Sequence, residues 1–152
     1  MLTWAEFERA APELAARGRE RLGFGVAWLA TSNADGEPNV HPVTPLIAAD
    51  GRLFVFVALG TPKERNLRRD GRYALHGVLG QDDEEFLIRG RATVSDDAAS
   101  RALAYKAAEA IGMTTKDDVL MEFRIDRAHW ARWEGLGTPD IRKVSERWRE
   151  SG

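Results

Sequence analysis

The stretch LFVFVAL, Leu53–Leu59, carries no polar side chain on either face. Asp50-Gly51 bounds it on one side and Gly60 on the other. It is therefore too short for a helix of ordinary length and far from the roughly 20 residues a membrane span needs. A strand sends alternate side chains to opposite faces, so a strand that is apolar throughout must be covered twice. One cover is the interior of a sheet or barrel. The other is a helix or a second subunit.

The segments around it read as further strands. FGVAWLATS is rich in β-formers, and the turn cluster NADGEPN follows it. VHPVTPLIAA is a second strand, which Asp50-Gly51 turns back into RLFVFVAL. RYALHGVLG is a fourth. EEFLIRGRATVS alternates, with Phe86, Ile88, Gly90, Ala92 and Val94 on one face. VLMEFRIDRAHWARW alternates again, with Val119, Met121, Phe123 and Ile125 together. Helices fill the gaps: one capped by Thr3 and Glu6, a second begun or interrupted at Pro12, and DAASRALAYKAAEAIG, capped by Asp96 or Asp97 and closed at Gly112. The tail GTPDIRKVSERWRESG is either an amphipathic helix begun at Thr138 or an extended arm. About six strands in meanders predict a mostly antiparallel sheet or barrel with flanking helices, not a doubly wound fold. One domain is expected over residues 1–152, with an N-terminal helical segment over about 3–22 and a C-terminal aromatic arm over about 136–152.

Two stretches depart from regular structure. Pro42 and Pro45 have opposite parity, so the second strand lacks donors on both sides; it is an edge, is bulged, or is partly freed to meet a ligand. In GTPKERN, Thr61 fits a helix N-cap, Pro62 the first helical position and Glu64 the third. Capping does not account for Lys63, because a helix start already repels cations. Lys63 is either a solvated surface charge or half of an anion site, in which the free amides of a helix start and a lysine hold a phosphate. The spacing is not that of a P-loop. Arg65, Arg68 and Arg69 read as a solvated face, partly paired with Glu64 and Asp70.

Composition removes several classes. Lys+Arg is 22 against Asp+Glu 24, a net charge of -2, so no bulk attraction to nucleic acid or anionic membrane follows. With no cysteine, the chain has no disulfide, thiolate metal site or cysteine nucleophile, which suits the cytoplasm. His41, His76 and His129 fall on different expected strands with no paired spacing, so no metal site is expected. No Gly-x-Ser-x-Gly anchor supports a serine hydrolase.

The order LATSNADGEPNVHPVTPL, DGRLFVFVALGTPKERNLRRDGRYAL, LIRGRATVSDD resembles the pyridoxamine 5′-phosphate oxidase-like family, the FMN-binding split β-barrel flavoproteins. The resemblance runs from about Leu29 to Asp97, with a looser match in FRIDRAHWARW. It implies a six-stranded antiparallel split β-barrel, a homodimer with FMN at the subunit interface, and oxidoreductase chemistry on a small organic substrate. His41, Pro42, Val43 and Thr44 would lie along the flavin ring. Val57 and Ala58 would flank the ring or ribityl chain. Thr61 and Lys63 would bind the phosphate, with Asn66 nearby. A flavin stores and releases the hydride, so no dedicated acid or base is implied, and no catalytic residue is named. Tyr73, His76 and the aromatics near Trp130 are substrate-side candidates or packing residues, and Trp130 or Trp133 could cover the partner chain's cofactor.

The departures also matter. Many members place arginines where this chain has Pro62 and His41. Some relatives bind the deazaflavin coenzyme (F-420), whose longer anionic tail needs a more open basic groove, and others bind haem. The arginine-histidine substrate motif of the vitamin B6 oxidases is missing from the tail, so oxidation of pyridoxamine phosphate is not expected.

Overall fold

The computed structural model describes residues 1–115 and 118–151. Helix α1 (Trp4–Ala10) opens on the expected capping box: Thr3 Oγ1 accepts from the Glu6 amide at 3.2 Å, and the Glu6 carboxylate accepts from the Thr3 amide at 2.7 Å. Pro12 does not interrupt this helix but starts a second, α2 (Pro12–Leu22). Trp4, Phe7 and Leu14 from these helices are fully buried with Phe86. A β-carbon on Gly18 would lie 2.2 Å from the Phe86 ring, so α2 can approach the barrel closely only through glycine.

The strands are β1 (Ala27–Ser32), β2 (Pro38–Val43), β3 (Leu46–Ile47), β4 (Leu53–Ala58), β5 (Arg72–Gly77), β6 (Glu85–Val94), β7 (Asp118–Glu134) and β8 (Arg142–Arg149). Among the described residues they form one 8-stranded sheet of order β2-β1-β5-β6-β7-β4-β3, with β8 alongside β7 and every pair antiparallel. β2 and β3 lie at opposite ends of this order, yet only Thr44 and Pro45 separate them in the chain. Val43 to Leu46 can span about 11 Å at most. The sheet therefore curls until its ends meet, which closes a barrel.

Two strands exceed the six expected, for two reasons. Pro45 breaks the expected second strand into β2 and β3, and the tail is extended as β8, which settles its alternative against a helix. β8 has room because β7 is long: its edge away from β6 meets β4 over Asp118–Phe123, then Leu2 at Ile125, then β8 over Arg127–Glu134.

β7 also carries a bulge. β6 pairs Arg89 with Arg127 and Gly90 with Ile125, which leaves Asp126 as an extra residue. The inward face changes parity there, from Val119, Met121, Phe123 and Ile125 to Ala128 and Trp130. A β-carbon on Gly90 would stand 1.8 Å from the Arg124 carbonyl oxygen, so the bulge requires glycine opposite it. Val94, expected to share the inward face of β6, is instead exposed at the strand's end.

The double cover of the apolar strand is resolved within the chain. Leu53, Val55 and Val57 face the barrel core, and Phe54 and Phe56 face outward under the helix α4 (Ala98–Ala110), against Ala104 and Ala108. The preceding helix, α3, is Pro62–Arg69. Asp97, not Asp96, caps α4, and the Met113 amide returns to the Ala108 carbonyl at 2.9 Å around Gly112. Leu59 lies beyond the strand and is exposed. No helix of the described residues is long and apolar enough to cross a membrane.

Candidate cofactor site

The expected site residues fall on two segments, β2 with its link to β3, and the end of β4 running into α3. At the start of α3, Thr61 is the N-cap: its hydroxyl donates to the Ala58 carbonyl at 2.7 Å and accepts from the Glu64 amide at 3.4 Å. The Glu64 carboxylate bends back to the Gly60 amide at 3.4 Å and pairs with Arg68. The one acid of the first turn is thus neutralised from behind. Lys63, half-buried, has no hydrogen-bond or ion-pair partner among the described residues. A free ammonium at a capped helix start, with the nearby acid already paired, is a candidate for holding an anion.

β2 is the edge strand of the sheet order, which is how it tolerates Pro42. His41 pairs across to Leu29 and Val43 to Ala27, both inward-facing positions of β1, while Pro42 pairs to the exposed Trp28. His41 Nδ1 is buried and has no hydrogen-bond partner among the described residues. A buried nitrogen without a partner is costly unless a ligand group or water meets it. Val43 and Val57 are core residues, whereas Ala58 is exposed and Thr44 half-buried. A flavin fits the residues present in this sense: Lys63 offers the counter-charge and His41 an unsatisfied ring nitrogen.

Asn66 behaves differently. Its side chain is buried and fully engaged: Nδ2 donates to Thr31 Oγ1 at 3.0 Å and to Asn33 Oδ1 at 3.1 Å, and Oδ1 accepts from Arg69 at 3.0 Å. Asn33 also accepts from Asn39 on β2. This chain of amides ties α3 to the β1–β2 hairpin, and with it the Lys63 segment to the His41 segment. Beside it lies a cavity of about 500 Å³, lined among others by Asn39, Arg65, Asn66 and Arg69. Arg65, Arg68 and Arg69 are exposed and Arg68 pairs with Glu64, as expected, and Arg65 and Arg69 also line this cavity and donate to the carbonyls of Gly60 and Ser32. Sequence reasoning missed Asn33 and Asn39. The only sign was the density of asparagine around a turn, which turn chemistry explains equally well.

The other candidates are core or ion-pair residues. Tyr73 donates to the Arg124 carbonyl at 3.2 Å and packs edge-on to Phe123. Burial first, and Asp126 second, push its phenol far above the usual range. Trp130 is buried in its own barrel, donates to Glu84 at 2.7 Å and lies under Arg17. Trp133, half-buried, has Lys143 over its ring. His76 and His129 meet at Glu85, at 3.9 and 3.3 Å, while His41 lies apart on β2. Burial would raise the Glu85 carboxyl, but Lys143 and His129 together hold it below the usual range.

A curled, closed antiparallel sheet with helices packed against it defines the class of split β-barrels. The family model described as pyridoxamine 5′-phosphate oxidase matches residues 17–130, and the chain belongs to that family. Solved structures agree on the fold. A nimc/nima family protein from Clostridium acetobutylicum superposes with a TM-score of 0.62 at 16% identity, covering 95% of each chain. A haem-binding protein from Mycobacterium smegmatis gives 0.59 at 22% identity over 86% of this chain, which spans 57% of that protein. HutZ, the haem storage protein from Vibrio cholerae, gives 0.57 at 19% identity, covering 76% of this chain and 87% of its own. A search of the curated proteins returned no match.

Proposed function

We propose that the chain binds FMN between two copies of itself and acts as an oxidoreductase on a small organic substrate. The observation that supports this best is Lys63: an unpartnered cation at a helix start whose neighbouring acid is already neutralised by Arg68. Lys63 would hold the phosphate, with Thr61 shaping the helix start. His41 and Thr44 would meet the ring, and Ala58 would lie beside the ribityl chain. Val43 and Val57 would contribute backbone only. Asn66 would position α3. The bound flavin would supply hydride storage and release. The homodimer no longer needs β4 as its reason, because α4 covers that strand. It draws support instead from the outer face of β2 and β1, where Trp28 is 48% and Val40 61% exposed. Pyridoxamine phosphate is not the substrate in this reading, since the tail lacks the arginine-histidine motif.

Two specific observations favour other cofactors. The open cavity with Arg65 and Arg69 beside α3 suits the longer anionic tail of the deazaflavin coenzyme (F-420). The two haem proteins among the similar structures suit a non-catalytic haem binder. The test is the visible spectrum of the protein after gel filtration with FMN, with the deazaflavin and with haemin. Retention of a two-band flavin spectrum is expected. Lys63→Ala should then weaken FMN binding by about 1.5–3 kcal/mol, one charge-assisted contact. Retention of deazaflavin or haemin alone, or an unchanged Kd in the variant, overturns the FMN assignment.

A further inference from the structure

The outer face of the barrel changes character along its rows. The strand register puts Val40, Ala30, Ala74, Arg89, Arg127 and Arg149 side by side across β2, β1, β5, β6, β7 and β8. The row is apolar at one end and purely cationic at the other. Arg89, Arg127 and Arg149 are directly opposed on three neighbouring strands, an arrangement that repels itself. Arg147 stands in the next row of β8, opposite His129. Arg89, Arg147 and Arg149 have no side-chain partner among the described residues, and Arg127 has only Asp126, at 3.7 Å. The following row is handled differently: Arg124 pairs with Glu122 at 2.6 Å, and Arg91 donates to the Asp70 carbonyl at 2.6 Å.

These arginines are not spread over a convex surface. Arg89, Arg127, Arg147 and Arg149 line one cleft of about 510 Å³, with Leu87 as an apolar wall, while the Trp148 ring turns to the other face of β8 and packs on Phe7. That volume is of the size of small-molecule sites, about 300–1,000 Å³, and guanidinium forks match carboxylate and phosphate geometry. Unpaired guanidiniums that face one another stay together at least cost when an anion sits between them. The protein's net charge of -2 shows that the concentration of cations is local.

We infer that this cleft is a binding site for a small organic polyanion, a molecule with two or more carboxylate or phosphate groups and an apolar part for Leu87. The site is separate from Lys63 and does not depend on the cofactor assignment.

Titration calorimetry of the full chain with citrate and with pyrophosphate tests it, the two anions separating carboxylate from phosphate preference. At least one should bind with a Kd of about 1 mM or tighter. Arg127→Gln and Arg149→Gln should each weaken that binding about tenfold or more, while Lys106→Gln on α4 removes one exposed charge without effect. Arg127→Gln should melt no lower than the wild type, because it relieves two like-charge contacts. Failure of both anions to bind overturns the inference. So does an equal loss in Lys106→Gln, which marks bulk charge, or a loss confined to Lys63→Ala, which moves the anion to α3. Tighter binding of a DNA duplex than of either small anion would replace the site by a polyanion surface.

Discussion

Asn66→Ala separates scaffold from ligand at the candidate site. The side chain is 4% exposed and makes three hydrogen bonds, two from Nδ2 and one to Oδ1. A neutral hydrogen bond contributes about 1 kcal/mol net, and the Arg69 bond counts for less because that side chain is exposed and screened. The deletion also leaves Thr31, itself 5% exposed, without its amide donor. Together these give a loss of about 2–3 kcal/mol. For a domain of this size each kcal/mol moves Tm by about 2–4 °C, so the apoprotein should melt about 4–12 °C lower. Thermal and urea unfolding of cofactor-free protein measure it. Thr31→Val removes one partner at nearly constant shape, and the double variant should fall short of additivity by about 1 kcal/mol. A loss below about 0.5 kcal/mol in the apoprotein, or strict additivity, would refute the network. If Asn66 were chiefly a cofactor ligand, the apoprotein would hardly change and FMN affinity alone would fall.

Gly90→Ala should be among the most damaging single-methyl changes, at about 3 kcal/mol or more, because the new carbon meets a backbone carbonyl at 1.8 Å; urea unfolding reads it, and wild-type stability would mean the bulge can slip. Thr3→Ala removes the hydroxyl that accepts from the Glu6 amide while keeping the backbone donor to Glu6, and should cost about 1 kcal/mol by the same assay. Glu85 has a folded pKa below its ordinary 4.5, so its contribution is present above that value and is lost as pH falls through the lower folded one. Tm measured between about pH 5 and pH 3 should therefore fall less steeply in Lys143→Gln, and identical slopes would remove Lys143 as the cause. Tyr73 has its phenol raised, so of the 2 tyrosines in the chain it should stay un-ionised in an ultraviolet titration until the protein unfolds.

Much of the fold was legible because its signals are local. The capping box at Thr3, the N-cap at Thr61, the Asp50-Gly51 turn and the two-faced apolar β4 all depend on neighbours in sequence. The features that were misjudged depend on pairing. Nothing in GTPDIRKVSERW distinguishes a charged edge strand from an amphipathic helix until β7 offers a free edge. The parity change at Asp126 likewise exists only because Gly90 lets the Arg124 backbone come close. At the site, Lys63 stood out against its own helix dipole. Asn66 did not show its structural role, because Thr31 and Asn33 are more than thirty residues away.

The same contrast governs charge. A chain with 22 basic and 24 acidic residues tells nothing by its sum, since most of the balance is local pairing. Arg52 lies on Asp50, Arg101 on Asp96, and both Arg132 and Arg142 on Glu134. Against that habit an unpaired cation is informative where its surroundings already disfavour it. Lys63 faces the positive end of α3. Arg89, Arg127 and Arg149 face one another. In both places the fold keeps a positive charge that its own backbone or neighbours repel, a conflict that a bound anion would remove. What surrounds them differs: a capped helix start at one, and a wide arginine-lined cleft at the other. Removing the charge should therefore abolish binding of different anions at the two sites, FMN at the first and a free polyanion at the second, with neither variant affecting the other's ligand.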